Sequence, residues 1–125
     1  MSKGHWVSQG ALTLSDATLT TSETSYVDLT NLHDYTKVLV QIEATFPATP
    51  SSNLDIYVRK SVTGNTPWES IADLTATAIT GVTSTTNIVV LTAIEVPGAQ
   101  IYLVNTDDAN SVAVAAKWAI WEEFV

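Results

Sequence analysis

The stretch from Ser111 to Val125, SVAVAAKWAIWEEFV, places the tightest limit on what this chain can fold into. Every second residue of one row, Val112, Val114, Ala116, Trp118, Ile120 and Phe124, is apolar, which suits one face of a β-strand. The intervening row reads Ala113, Ala115, Lys117, Ala119, Trp121, Glu123 and Val125. A strand wetted on its outer side normally carries Thr, Lys or Glu there, not three alanines and a tryptophan. This strand is therefore expected in mid-sheet, with another surface across its back, and the fold is expected to close on it. The cover could be the chain's own loops and first residues or a neighbouring subunit. A Thr-rich, weakly charged surface favours the neighbour, so a homo-oligomer is expected, most simply a trimer. Its candidate interface residues are Trp6, Ala113, Ala115, Ala119 and Trp121, because small side chains admit close approach and a buried aromatic can anchor it.

The same alternation recurs along the chain. In Lys37 to Phe46, Val38, Val40, Ile42, Ala44 and Phe46 share one face, and Gln41, Glu43 and Thr45 the other. Pro47 and Pro50 end that strand, since proline cannot continue a ladder. Leu54 to Val62 repeats the pattern, with Leu54, Ile56, Val58 and Val62 inward and Asp55, Tyr57, Arg59 and Ser61 outward. Ser25 to Leu29 is a short strand with Tyr26 and Asp28 on one side and Val27 and Leu29 on the other. Trp68 to Leu74 is read as a short strand in preference to a helical turn. Asn87 to Val96 and Ala99 to Val104 follow, split by the turn Pro97-Gly98, and Asn105 to Asn110 turns into the closing strand. About eight strands with turns every 8–12 residues fit an antiparallel β-sandwich or barrel. Residues 1–10 are read as an N-terminal arm or irregular first strand, and residues 11–125 as a single β-sandwich domain.

Composition narrows the chemistry. The net charge is −8, from 5 Lys+Arg against 13 Asp+Glu, which repels phosphate backbones and disfavours nucleic acid or an anionic membrane as partner. Without cysteine there is no disulfide and no thiolate metal site. No apolar run reaches the length of a membrane span, and the N-terminus lacks a continuous apolar segment of signal-peptide length.

Motif by motif, the residues point away from catalysis. His5 and His33 lie apart in the arm and in a turn, without ligand spacing for zinc. No G-x-S-x-G element occurs, and the five glycines form no phosphate-binding loop. Asp107 and Asp108 offer oxygens in one loop, as Ca²⁺ prefers, but their order lacks the EF-hand pattern and Asn/Asp-rich turns arise for backbone reasons alone. Glu122 and Glu123 are adjacent on a strand, so they point to opposite faces and cannot act as a local pair. The expectation is no catalytic residue, no metal and no cofactor. Aromatics remain: Tyr57 and Tyr102 on outward rows, with Trp6, Trp68, Trp118 and Trp121, could make a sugar platform or a protein interface. Core filling is the plainer role for Trp68 and Trp118.

Taken in order, YVDLTNLHDYTKVLVQIEAT, LDIYVRKSV and IYLVNTDDANSVAVAAKWAIW resemble the small jelly-roll virion proteins of tailed bacteriophages. The likeness lies in a short Val-Asp-Leu strand, a polar turn, a long alternating strand, a strand with basic residues, and a final hairpin across an Asn/Asp turn. It extends over most of residues 25–121. The resemblance implies a jelly-roll type of sandwich and a non-enzymatic structural role. That role would be a capsid decoration or auxiliary head protein, made in the host cytoplasm and carried on the virion, often as a trimer. Its partner would be the major capsid protein or another virion protein. The alternative is a carbohydrate- or receptor-binding β-sandwich module, such as a tail or fibre accessory.

Overall fold

Alternation decides which side chains this molecule turns inward, and the pairing of strands decides everything else. The computed structural model describes residues 3–35, 37–46, 52–79, 86–107 and 109–123. Nine strands lie within them: β1 (Gly4–Leu12), β2 (Thr18–Leu19), β3 (Thr24–Leu29), β4 (Val38–Phe46), β5 (Leu54–Ser61), β6 (Thr77–Ile79), β7 (Thr86–Ile94), β8 (Gly98–Asn105) and β9 (Val112–Glu123). All pairing is antiparallel, and the strands divide into two sheets. The protein is an all-β sandwich.

Sheet A runs β1-β9-β4-β7, with β2 continuing along the same edge of β9 that β1 occupies. Sheet B runs β3-β8-β5-β6. The ladders nest: β2 pairs β9, β3 pairs β8, β4 pairs β7, and β5 pairs β6. Two further ladders, β4 with β9 and β5 with β8, weld the nested ribbons into sheets. β9 therefore lies in mid-sheet, hydrogen-bonded on both sides, as its apolar character requires.

Inner faces follow the sequence pattern closely. Val38, Val40, Ile42, Ala44 and Phe46 of β4 are buried, as are Val27 and Leu29 of β3, Leu54 and Ile56 of β5, Ile101 and Leu103 of β8, and Val112, Val114 and Ala116 of β9. Each Val, Ile or Phe buried this way contributes about 1.5–3 kcal/mol before entropy is counted. Leu12, Leu14, Val58, Trp118 and Ile120 pack against the rim of this core.

Four expectations need correction. Trp68 to Leu74 is not a strand: it holds a 3-10 turn at Ile71–Asp73. Glu69 explains why, because its backbone and carboxylate bind Lys60 and its carbonyl accepts from Arg59. The segment is pinned at one point of β5 and has no ladder to extend. Val62 does not face inward. β5 ends at Ser61, which is itself buried, and Val62 is 88% exposed beyond it. Trp68 is half-buried beside Val62 and Pro67 and lies outside the main core. The boundary drawn after residue 10 falls inside β1, which pairs with β9 from Gly4 to Leu12. Ser8 opposes Ala119 and Gly10 opposes Trp118, so Gln9 is the extra residue of a bulge. Gly10 accommodates it with φ 89.

Candidate functional site

The proposed interface residues meet on the outer face of sheet A. Trp6 sits directly opposite Trp121 in the β1–β9 ladder, and their rings make an edge-to-face pair with centroids 5.3 Å apart. Lys37 places its ammonium 5.0 Å from the Trp121 ring. Below the ring lies Gly4, where an added Cβ would come within 2.8 Å of Trp121. The cover over Trp121 is thus the chain's own first strand, leaving Trp121 half-buried and Trp6 41% exposed.

Further along the same face, cover ends. Ala113 and Ala115 are exposed opposite Thr45 and Glu43, and Ala119 is half-buried opposite Leu39. Ala119, Leu39, Gln41, Lys117 and Ser8 line a shallow groove. The structure therefore brings all five predicted residues to one face and splits them: Trp121 and Ala119 are half-buried, while Trp6, Ala113 and Ala115 are exposed.

A second face emerges on sheet B. Tyr26 of β3, Tyr102 of β8 and Tyr57 of β5 are direct partners across three adjacent strands. Beside that row stands another, Asp28, Gln100 and Arg59, joined by hydrogen bonds. Gln100 Nε2 donates to Asp28 Oδ1 at 2.9 Å, and Arg59 Nη1 donates to Gln100 Oε1 at 2.6 Å. Arg59 Nε also donates to the Glu69 carbonyl at 2.7 Å, which holds the guanidinium 5.8 Å from the Tyr102 ring centroid. On the other side of the tyrosines lie Thr24, Val104 and Asp55. Tyr57 and Tyr102 were recognisable in the sequence as outward residues. The alternation of Ser25 to Leu29 puts Tyr26 on the same face as Asp28, but its union with the other two depends on β8 lying between β3 and β5.

The Asn/Asp turn proves to be a structural joint. Asn105, fully buried, donates from Nδ2 to the carbonyls of Leu19, Thr20 and Asn110 and accepts from the Asp107 N–H. Thr106 binds Asn53 and Ser52 in the approach to β5. The Asp107 carboxylate is 1% exposed and accepts from the backbone N–H groups of Ser52, Ala109 and Asn110. Oδ1 thus serves the backbone of its own turn, as short Asx turns do, and Oδ2 ties that turn to Ser52 in the approach to β5. Asp108 lies outside the described residues. Among those described, no three His, Cys, Asp or Glu side chains gather as metal ligands. His5 lies on β1 and His33 in a 3-10 turn before β4. Glu122 and Glu123 are both exposed at the end of β9.

No protein-family model matches the chain, and no curated protein does. Among solved structures, the chain is similar to a "Family 16 Carbohydrate Binding Module-2", at 15% identity and TM-score 0.43, over 79% of this chain and 70% of that one. It is also similar to a secreted serine protease, VesC from Vibrio cholerae, at 15% identity and TM-score 0.38, over 94% of this chain but 22% of that one. Likenesses this distant carry no argument, and the fold rests on the strand pairing itself.

Proposed function

We propose that the chain is a non-enzymatic virion structural protein of the tailed-phage type, a decoration or auxiliary head protein that binds and stabilises the outer capsid surface. The nested pairing of β2 with β9, β3 with β8, β4 with β7 and β5 with β6 supports the jelly-roll classification that goes with this reading.

One observation carries the functional part: the outer face of sheet A is built for close approach and is left open. Ala113 and Ala115 are exposed in the middle strand of that sheet, beside the Trp6–Trp121 pair. On a chain of net charge −8, the charged groups on this face balance, Glu43 and Glu123 against Lys117 and Lys37, among the uncharged Gln41, Thr45 and Leu39. The acidic excess lies elsewhere, so another protein surface can close on this face without like-charge repulsion. The partner is the major capsid protein or another virion protein, with further copies of this chain completing a trimer. Synthesis in the host cytoplasm and residence on the virion surface follow from that role.

The test is Ala115→Arg. The side chain is exposed in the isolated chain, so its melting temperature should stay within about 2 °C of wild type. Co-sedimentation with particles should be abolished. A variant that still joins the particle at wild-type occupancy would refute docking through this face.

A further inference from the structure

We infer that the outer face of sheet B is a binding platform for a neutral oligosaccharide, with Tyr26, Tyr102 and Tyr57 as its floor and Asp28 and Arg59 as its polar rail. The inference uses the opposite sheet from the docking face and does not depend on the particle role.

An exposed antiparallel face needs only polar or charged side chains. Three tyrosines in one row across three strands are therefore a surplus of aromatic surface, and Tyr26 keeps 44% of its surface open to solvent. Neighbouring strands are spaced about 4.8 Å apart, close to the length that one hexopyranose unit adds to a glycan. Tyr26 offers one sugar its exposed ring, and Tyr102 and Tyr57, both half-buried and the former with Arg59 over its ring, offer the neighbouring units the surface they leave open.

The rail supplies direction. Gln100 is buried to 8% exposure and holds Asp28 through Oδ1 and Arg59 through Nη1. Arg59 is fixed a second time by the Glu69 carbonyl through Nε. One carboxylate and one guanidinium are thus set in place beside the tyrosines before any ligand arrives, which removes ordering cost from binding. Vicinal sugar hydroxyls match these two groups, donating to Asp28 and accepting from Arg59. Gln100 is a positioning residue here. Charge selects the ligand: Asp28 and Asp55 flank the row against a single Arg59, on an acidic chain. Sulfated or uronic glycans are repelled and neutral ones are not.

The experiment is an NMR titration of the isolated chain with neutral hexasaccharides of glucose, galactose, mannose and N-acetylglucosamine, and with oligogalacturonate as the anionic probe. At least one neutral probe should shift the amides of Tyr26, Tyr57, Tyr102 and Arg59, and oligogalacturonate should not. Tyr26→Ala should weaken that binding about tenfold or more. Gln100→Ala should weaken it by releasing both Asp28 and Arg59, with the Arg59 side-chain Nε–H signal shifted in a variant that stays folded. Circular dichroism melts show whether each variant is folded. No shift with any neutral probe at about 10 mM, or shifts centred elsewhere, would overturn the inference. A Tyr26→Ala protein that binds sugar like wild type but no longer joins the particle would reassign this face to a protein partner.

Discussion

Replacing Asn105 by Asp changes one NH₂ into one oxygen and almost nothing in volume, so it isolates hydrogen bonding from packing. In the native protein, Asn105 Nδ2 lies 3.1, 3.1 and 3.0 Å from the carbonyl oxygens of Leu19, Thr20 and Asn110. The side chain has no solvent exposure. Two amide hydrogens serve three acceptors there, tying the end of β2 to β8 and to the turn before β9. A carboxylate in that place would face three carbonyl dipoles with the wrong sign and stand near the buried Asp107 carboxylate. Protonation relieves the charge but restores only one donor. Each lost partner costs about 1–3 kcal/mol when burial excludes water, so Asn105→Asp should destabilise by about 3–4 kcal/mol at neutral pH. For a domain of this size that lowers the melting temperature by roughly 10–20 °C. The penalty should shrink at acid pH. A buried carboxyl has its folded pKa raised, so its cost is smallest below the unfolded value of about 3.9 and grows as pH rises above it. Urea unfolding of wild type and variant at pH 4 and pH 7 measures both effects. A variant melting within about 3 °C of wild type at pH 7 would refute the assignment of Asn105 as the joint.

Gly98→Ala should cost about 1–3 kcal/mol, because its Cβ would stand 2.6 Å from the backbone of Gly64; an unchanged urea midpoint would show that the β8 entrance gives way freely. Asp107→Ala should cost about 2–3 kcal/mol by leaving the N–H groups of Ser52, Ala109 and Asn110 without their acceptor. That loss should be the same with or without EDTA, and the wild-type melt should not respond to chelator; a fall restored by Ca²⁺ would make the turn a metal site. Trp121→Ala should reduce self-association by about 2 kcal/mol and also loosen β1, which loses the ring packed on Gly4 and Trp6. Light scattering across a concentration series reads the first effect and amide exchange along β1 the second.

How much of this was legible in advance depends on whether a property is local. The inward row of β4, from Val38 to Phe46, is a period-two pattern and needs no partner to be recognised. The same logic failed at Val62, because alternation cannot say where a strand stops, and the strand stops at Ser61. It failed at Trp68 to Leu74, where apolar residues surround a turn pinned by Glu69 to Lys60. Across β1 the rows change phase at the bulge near Gly10, which a lone glycine does not reveal. The candidate sites divide the same way. Ala113, Ala115, Ala119 and Trp121 share a strand, so their common face was visible. The tyrosine row joins residues from three strands, and no periodicity within a strand says which strand is its neighbour. Asn105 is recognisable as a turn residue, but its burial comes from the approach of Leu19 and Thr20, far away in the chain.

The claim at the centre of this account is that the chain is a structural part of a particle. Quantitative mass spectrometry of gradient-purified particles from cells expressing it tests that most directly. The account predicts the chain in the particle band at a fixed ratio to the major capsid protein, unchanged by further purification and lost with Ala115→Arg. A chain found only in the soluble fraction, with none in the particle band, would contradict it.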